Sequence, residues 1–120
     1  MSHLSFIESV TVGIPVKDIQ EAVTWYERIF GTVTGFEPVP GIREIEINPG
    51  FWLQLLEVDE INPGQGIVRF GVFGIEAERE RLLRLNIEVG PVHRINGVVA
   101  YCNFCDPYGN RLGLYETLEK

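Results

Sequence analysis

One pattern, a strand, a helix and three further strands, runs through this sequence twice, and it restricts the fold more than any other feature. Residues 10–16 (VTVGIPV) are rich in β-branched side chains and predict a strand. Asp18 follows as a helix cap, with Glu21 at capping-box spacing. Ile19, Ala22, Val23, Tyr26, Ile29 and Phe30 recur at helical spacing, and Gly31 supplies a stop, so a helix is expected over 18–30. Three strand-like runs come next, at 32–39, 42–47 and 51–58, divided by the turn signals Pro40-Gly41 and Asn48-Pro49-Gly50. After a polar connection over 59–66 the order restarts, with a strand at 67–73 and a helix at 75–86. That helix carries Glu76, Glu78 and Glu80 early and Arg81 and Arg84 late, as the helix dipole favours. Runs at 87–92, 98–105 and 111–117 complete the second copy, with turns at Asn96-Gly97 and 107–110.

Residue identity supports a duplication. Shifted by 56, Val12, Val16 and Ile19 fall on Val68, Val72 and Ile75; shifted by 59, the segment from Leu53 to Glu57 falls on that from Leu112 to Glu116. The fold class expected is therefore α+β. Two βαβββ modules, about 7–58 and 67–117, would form a curved, mostly antiparallel eight-stranded sheet with the helices on its outer face. The other face would curl into a cup, the kind of concave surface that small molecules occupy. With 120 residues, 45% of them apolar, the chain suits one domain spanning 1–120 with a substantial core.

Two stretches carry a family resemblance. VGIPVKDIQEAVTWYERIFG and the closing CDPYGNRLGLYE are similar to the opening and the last hairpin of the glyoxalase/bleomycin-resistance/dioxygenase proteins, the vicinal oxygen chelate superfamily. The resemblance covers nearly the whole chain. It implies a divalent metal held by His, Glu or Gln at the centre of the cup. Carried over one position at a time, the metal-binding places fall on Thr11, Gln54, Ile67 and Gly113. Hard or borderline divalent ions need carboxylate, imidazole or several convergent oxygens, and only Gln54 among these is a plausible ligand. No metal, no other cofactor and no catalytic residue are therefore expected.

Strand side chains alternate faces, so the neighbours of these positions indicate what lines the cup. This alternation gives the candidate ligand-binding residues Thr11, Trp52, Gln54, Arg69, Phe73, Arg111 and Tyr115; the resemblance adds Asn103, at the family's ligand-contacting position three before Asp106, and Tyr101 comes with it by alternation. Arg69 sits between Val68 and Phe70 on an apolar strand. It reads either as a clamp for a ligand carboxylate or similar anion, or as a residue paired with a neighbouring Glu or facing solvent. Cys102 and Cys105 form a C-x-x-C string, but on a strand they point to opposite faces, and ordinary packing is the expected role. His3 and His93 lack ligand-like spacing and read as surface residues. Glu57 and Glu116 hold equivalent places in the two halves and point away from the cup centre, which suggests capping or edge ion pairs.

Seventeen Asp and Glu against ten Lys and Arg leave a formal net charge of −7, which disfavours nucleic acid and anionic membranes as partners. No apolar run approaches a membrane span, no signal peptide is evident at the N-terminus, and two cysteines make no disulfide framework. A cytoplasmic protein is expected. The function read from the sequence is metal-free binding of a small molecule, as a homodimer in keeping with the resemblance. The alternative is a metal-dependent lyase or isomerase, or a dioxygenase-like enzyme with a non-standard site. A third reading is a scaffold that no longer holds a ligand.

Overall fold

The computed structural model describes residues 6–31 and 34–118. Its described residues form eight strands and two helices. They divide into two compact units, Met1–Ile61 and Asn62–Lys120. Each unit is a strand, a helix and three strands.

In the first unit the sheet order is β1 (Val10–Val16), β4 (Phe51–Glu57), β3 (Ile42–Asn48) and β2 (Thr34–Val39). β1 runs parallel to β4, and the other neighbours are antiparallel. Helix α1 (Ile19–Phe30) makes the crossover between β1 and β2. The Asp18 carboxylate accepts the Glu21 N–H at 3.0 Å, and Gly31 ends the helix at φ 78°. Ile19, Ala22, Tyr26 and Ile29 of α1 are buried, as are Ile14, Val16, Ile45, Leu53 and Leu55 of the sheet. Register places those sheet residues on one face, the face that α1 covers. Truncating a side chain as enclosed as Leu55 would cost about 2–5 kcal/mol. Arg43 shares this face, and its guanidinium approaches Glu27 at 3.7 Å.

The second unit repeats the plan in the order β5 (Ile67–Gly71), β8 (Arg111–Thr117), β7 (Val99–Cys105) and β6 (His93–Ile95). β5 is parallel to β8, and the other pairs are antiparallel. Helix α2 (Ile75–Arg84) presents Ile75 and Leu82 to the covered face, where Ala100, Cys102, Phe104, Leu112 and Leu114 are also buried. It stops short of the expected end at 86. Asn86 adopts φ 66°, the Asn86 N–H donates to Leu83 C=O at 2.9 Å, and the Ile87 N–H donates to Leu82 C=O at 3.1 Å. This is a Schellman ending with asparagine in the left-handed position that glycine usually takes.

Two further strands depart from expectation by more than a residue. The strand expected at 67–73 ends at Gly71, leaving Phe73 outside it. No strand covers 87–92: Val89 makes one isolated bridge to Phe104, and the edge strand is His93–Ile95. Pro91 cannot donate to a ladder, and Arg79 draws the carbonyls of Val89 and Gly90 to its guanidinium at 3.2 and 2.7 Å. The apolar spacing of Ile87 and Val89 reflects burial with a single bridge rather than a continuous strand. Residues 32 and 33 of the expected strand 32–39 lie outside the described residues.

The 107–110 turn is built on Asp106, which is 5% exposed. Its carboxylate accepts the N–H groups of Tyr108 and Asn110, both at 2.9 Å, and the Asn110 side-chain amide at 2.7 Å. A buried carboxylate this well satisfied is a structural device, so the DPYGN stretch serves the hairpin between β7 and β8.

Candidate functional site

Each sheet has one face covered by its helix and one that its helix leaves open. In the first unit, register puts Thr11, Gly13, Ile42, Glu44, Glu46, Trp52, Gln54, Leu56 and Phe36 on the open face. Gln54 Nε2 donates to Glu44 Oε2 at 2.6 Å. The Trp52 ring meets Phe36 edge-on, with centroids 6.1 Å apart. Gly13 lies beneath Leu56 and Gln54, where a Cβ would stand 3.2 Å from Leu56 Cδ1. Trp52, Gln54 and Glu44 are half-buried, whereas Thr11 is exposed.

In the second unit the open face carries Ile67, Arg69, Gly71, His93, Ile95, Val99, Tyr101, Asn103, Cys105, Arg111, Gly113, Tyr115 and Thr117. Arg69 on β5 reaches across β8 to Asn103 on β7. Its Nε and Nη2 both donate to Asn103 Oδ1, at 3.3 and 3.0 Å. It can do so because Gly113 lies between them: a Cβ there would sit 3.0 Å from Arg69 Cγ and 3.1 Å from Asn103 Oδ1. The guanidinium lies 4.8 Å from the Tyr101 ring centroid, within cation–π range. The Tyr101 and His93 rings are 5.2 Å apart. Arg111 donates to Gln65 C=O at 3.1 Å, and the Tyr115 ring packs over Gly71.

Of the nine sequence-derived candidates, Thr11, Trp52 and Gln54 stand on the first open face, and Arg69, Tyr101, Asn103, Arg111 and Tyr115 on the second. Phe73 stands on neither strand face. It is 101% exposed beyond the end of β5, where strand alternation no longer applies. Glu44, Phe36 and His93 share these faces without having been singled out for them. The alternating stretch from Arg43 to Ile47 could have supplied Glu44, once Gln54 was taken as its cross-strand partner. His93 is exposed, as its reading as a surface residue implies, and it stands on β6, an edge strand that the sequence places too early.

The carboxylates of Glu57 and Glu116 do cap the helices. Glu57 Oε2 accepts the Ile19 N–H at 3.0 Å, and Glu116 Oε1 accepts the Ile75 N–H at 3.1 Å. Cys102 is buried on the covered face and Cys105 exposed, as strand alternation requires. Burial pushes the Cys102 thiol above its ordinary value, against the opposing pull of Arg79. A buried neutral thiol of this kind is a packing group.

The metal positions implied by the family resemblance do not suit a divalent ion. Thr11 and Gln54 are on the first open face, and Ile67 and Gly113 on the second, so Gln54 contributes the one strong donor oxygen of the four. Among the described residues, no cluster of three or more His, Cys, Asp or Glu side chains is placed to hold a metal.

No family model and no curated protein matches the sequence. Solved structures do. The fosfomycin resistance protein FosX from Listeria monocytogenes superposes with a TM-score of 0.76 at 20% identity, covering 97% of this chain and 93% of its own. A glyoxalase/bleomycin resistance protein from Catenulispora acidiphila gives 0.74 at 20% identity, over 91% and 97%. Lactoylglutathione lyase from Agrobacterium tumefaciens gives 0.71 at 22% identity, over 88% and 90%. At these identities the likeness establishes architecture, and the chemistry has to come from the residues.

Proposed function

The chain has the glyoxalase/bleomycin-resistance fold, and we propose that it uses this fold to bind a small organic molecule without a divalent metal. The observation that supports the reading most is the makeup of the two open sheet faces. They carry aromatic side chains and a few directed polar groups, as ligand sites do, while the carboxylates Glu44 and Glu46 and the His93 imidazole stand outside the four metal places the resemblance implies, and among the described residues no three such groups are placed to hold an ion. The contacts proposed are Thr11, Trp52 and Gln54 on the first sheet, and Arg69, Tyr101, Asn103, Arg111 and Tyr115 on the second. Trp52 and Tyr101 supply apolar area; Gln54, Arg69 and Asn103 supply orientation. No catalytic residue is assigned.

A second reading keeps one support. The Listeria FosX has also been crystallised with Mn(II) and sulfate, so a metal-dependent lyase, isomerase or dioxygenase-like reaction is the alternative. Against it stand Thr11, Ile67 and Gly113 at three of the four expected ligand places. A homodimer in the cytoplasm completes the proposal. No described helix is long and apolar enough to cross a membrane.

The test is a thermal-shift screen of a small-molecule library on the wild-type chain, repeated with Trp52→Ala and Arg69→Ala. The expected result is a hit whose dissociation constant rises about tenfold or more in at least one variant, which is about 1.4 kcal/mol of binding energy. Hits unaffected by either substitution would remove the support for this site.

A further inference from the structure

The open face of the second sheet is built to receive negative charge. It bears the cations Arg69 and Arg111, and among the described residues of the four strands no Asp or Glu shares it. That is notable in a chain with seventeen carboxylates and a net charge of −7. The described ion pairs of this unit, Arg81 with Glu78 and Arg94 with Glu76, lie away from this face.

The hydrogen bonds of Arg69 say more. A guanidinium is a donor only, so Asn103 must present its carbonyl oxygen to it. Nε and Nη2 both spend their contact on that oxygen, at 3.3 and 3.0 Å. The opposite edge of the guanidinium, Nη1 with the second hydrogen of Nη2, is left as two parallel donors. The same constraint turns the Asn103 NH2 group away from Arg69, adding a further donor. Gly113 leaves the strand between them bare, and the Tyr101 ring lies against the guanidinium at 4.8 Å from its centroid.

We infer that Arg69 and Asn103 form a carboxylate-binding fork, with Tyr101 beside it for a flat apolar group on the same ligand. The fork suits a planar carboxylate because two parallel N–H groups match its two oxygens in one plane. This deepens the binding reading above and rests on it: the ligand class is a small aromatic or conjugated carboxylic acid.

The experiment is a titration of the whole chain with benzoate, followed by amide NMR, with benzamide as the neutral isostere. The expected result is a saturable shift confined to signals of β5, β7 and β8, in the millimolar range or tighter, with benzamide weaker by about tenfold or more. Arg69→Lys keeps the charge and removes the fork, and should weaken benzoate by a similar factor. Asn103→Asp places a carboxylate against the guanidinium and should abolish the response; dispersed amide spectra of both variants establish that they fold. Benzoate shifts elsewhere, no benzoate response, or equal affinity of benzoate in the wild type and Arg69→Lys would each overturn the fork. Equal binding of benzoate and benzamide on this face would overturn the fork while leaving small-molecule binding standing. Failure of every compound in the library screen would instead remove the binding reading itself.

Discussion

At Gly113 a single missing side chain decides what the second sheet can do. The sequence marks it as the place of an absent metal ligand. The structure gives it a positive reason, since a Cβ would stand 2.7 Å from the Cys102 carbonyl oxygen, with Arg69 and Asn103 crowded beside it. Backbone cannot move aside cheaply. Gly113→Ala should therefore destabilise the protein by about 1–3 kcal/mol in urea denaturation and displace Arg69 from Asn103. Gly71→Ala offers the contrast: its new methyl would meet the far end of Tyr115, at 3.0 Å, which can swing outward. That variant should lose less than about 1 kcal/mol. Equal losses would show that the crowding at Gly113 is relieved in some other way. The interest of Arg69 was visible in the sequence, as a cation between Val68 and Phe70. Its partner was not, because Asn103 is 34 residues away and the contact depends on a glycine two strands share as a bridge.

Elements were legible where local chemistry sets their limits. The Asp18 cap and the Gly31 stop framed α1, and the Asn110-to-Thr117 segment yielded β8 at its true bounds, 111–117. Legibility failed where a long-range contact decides. Apolar spacing alone suggested a strand at 87–92, but Pro91 and the Arg79 side chain claim that backbone. The two helices also differ at their starts in a way that sets a quantitative expectation. Both receive a glutamate from the last strand of their own unit, Glu57 for α1 and Glu116 for α2. Helix α1 has the Asp18 carboxylate as well, whereas Gly74 brings α2 no side-chain cap. Glu116→Ala should consequently cost about 1–2 kcal/mol, and Glu57→Ala less than about 1 kcal/mol. Urea denaturation of both variants checks the order, and a larger loss for Glu57→Ala would contradict it.

For the molecule as a whole, the duplication read from offsets of 56 and 59 reappears as two units with the same strand order and equivalent caps. The β-branched runs, helical stripes and turn residues of each half carry that information locally, which is why the architecture could be read at 20% identity to its structural neighbours. The chemistry was less legible, because a ligand site depends on which side chains converge. Charge shows the same limit. The net value of −7 conceals one open face with Glu44 and Glu46 and another with Arg69 and Arg111. Binding without a divalent metal depends most on the unsuitability of Thr11, Gln54, Ile67 and Gly113 for such a cation. Native mass spectrometry of protein purified without chelators, then incubated with Mn(II), Zn(II) or Ni(II) and desalted, tests this directly. The expected result is the mass of the bare polypeptide, or a simple multiple of it, after each metal. One tightly held metal ion per chain, lost on Gln54→Ala, would contradict it.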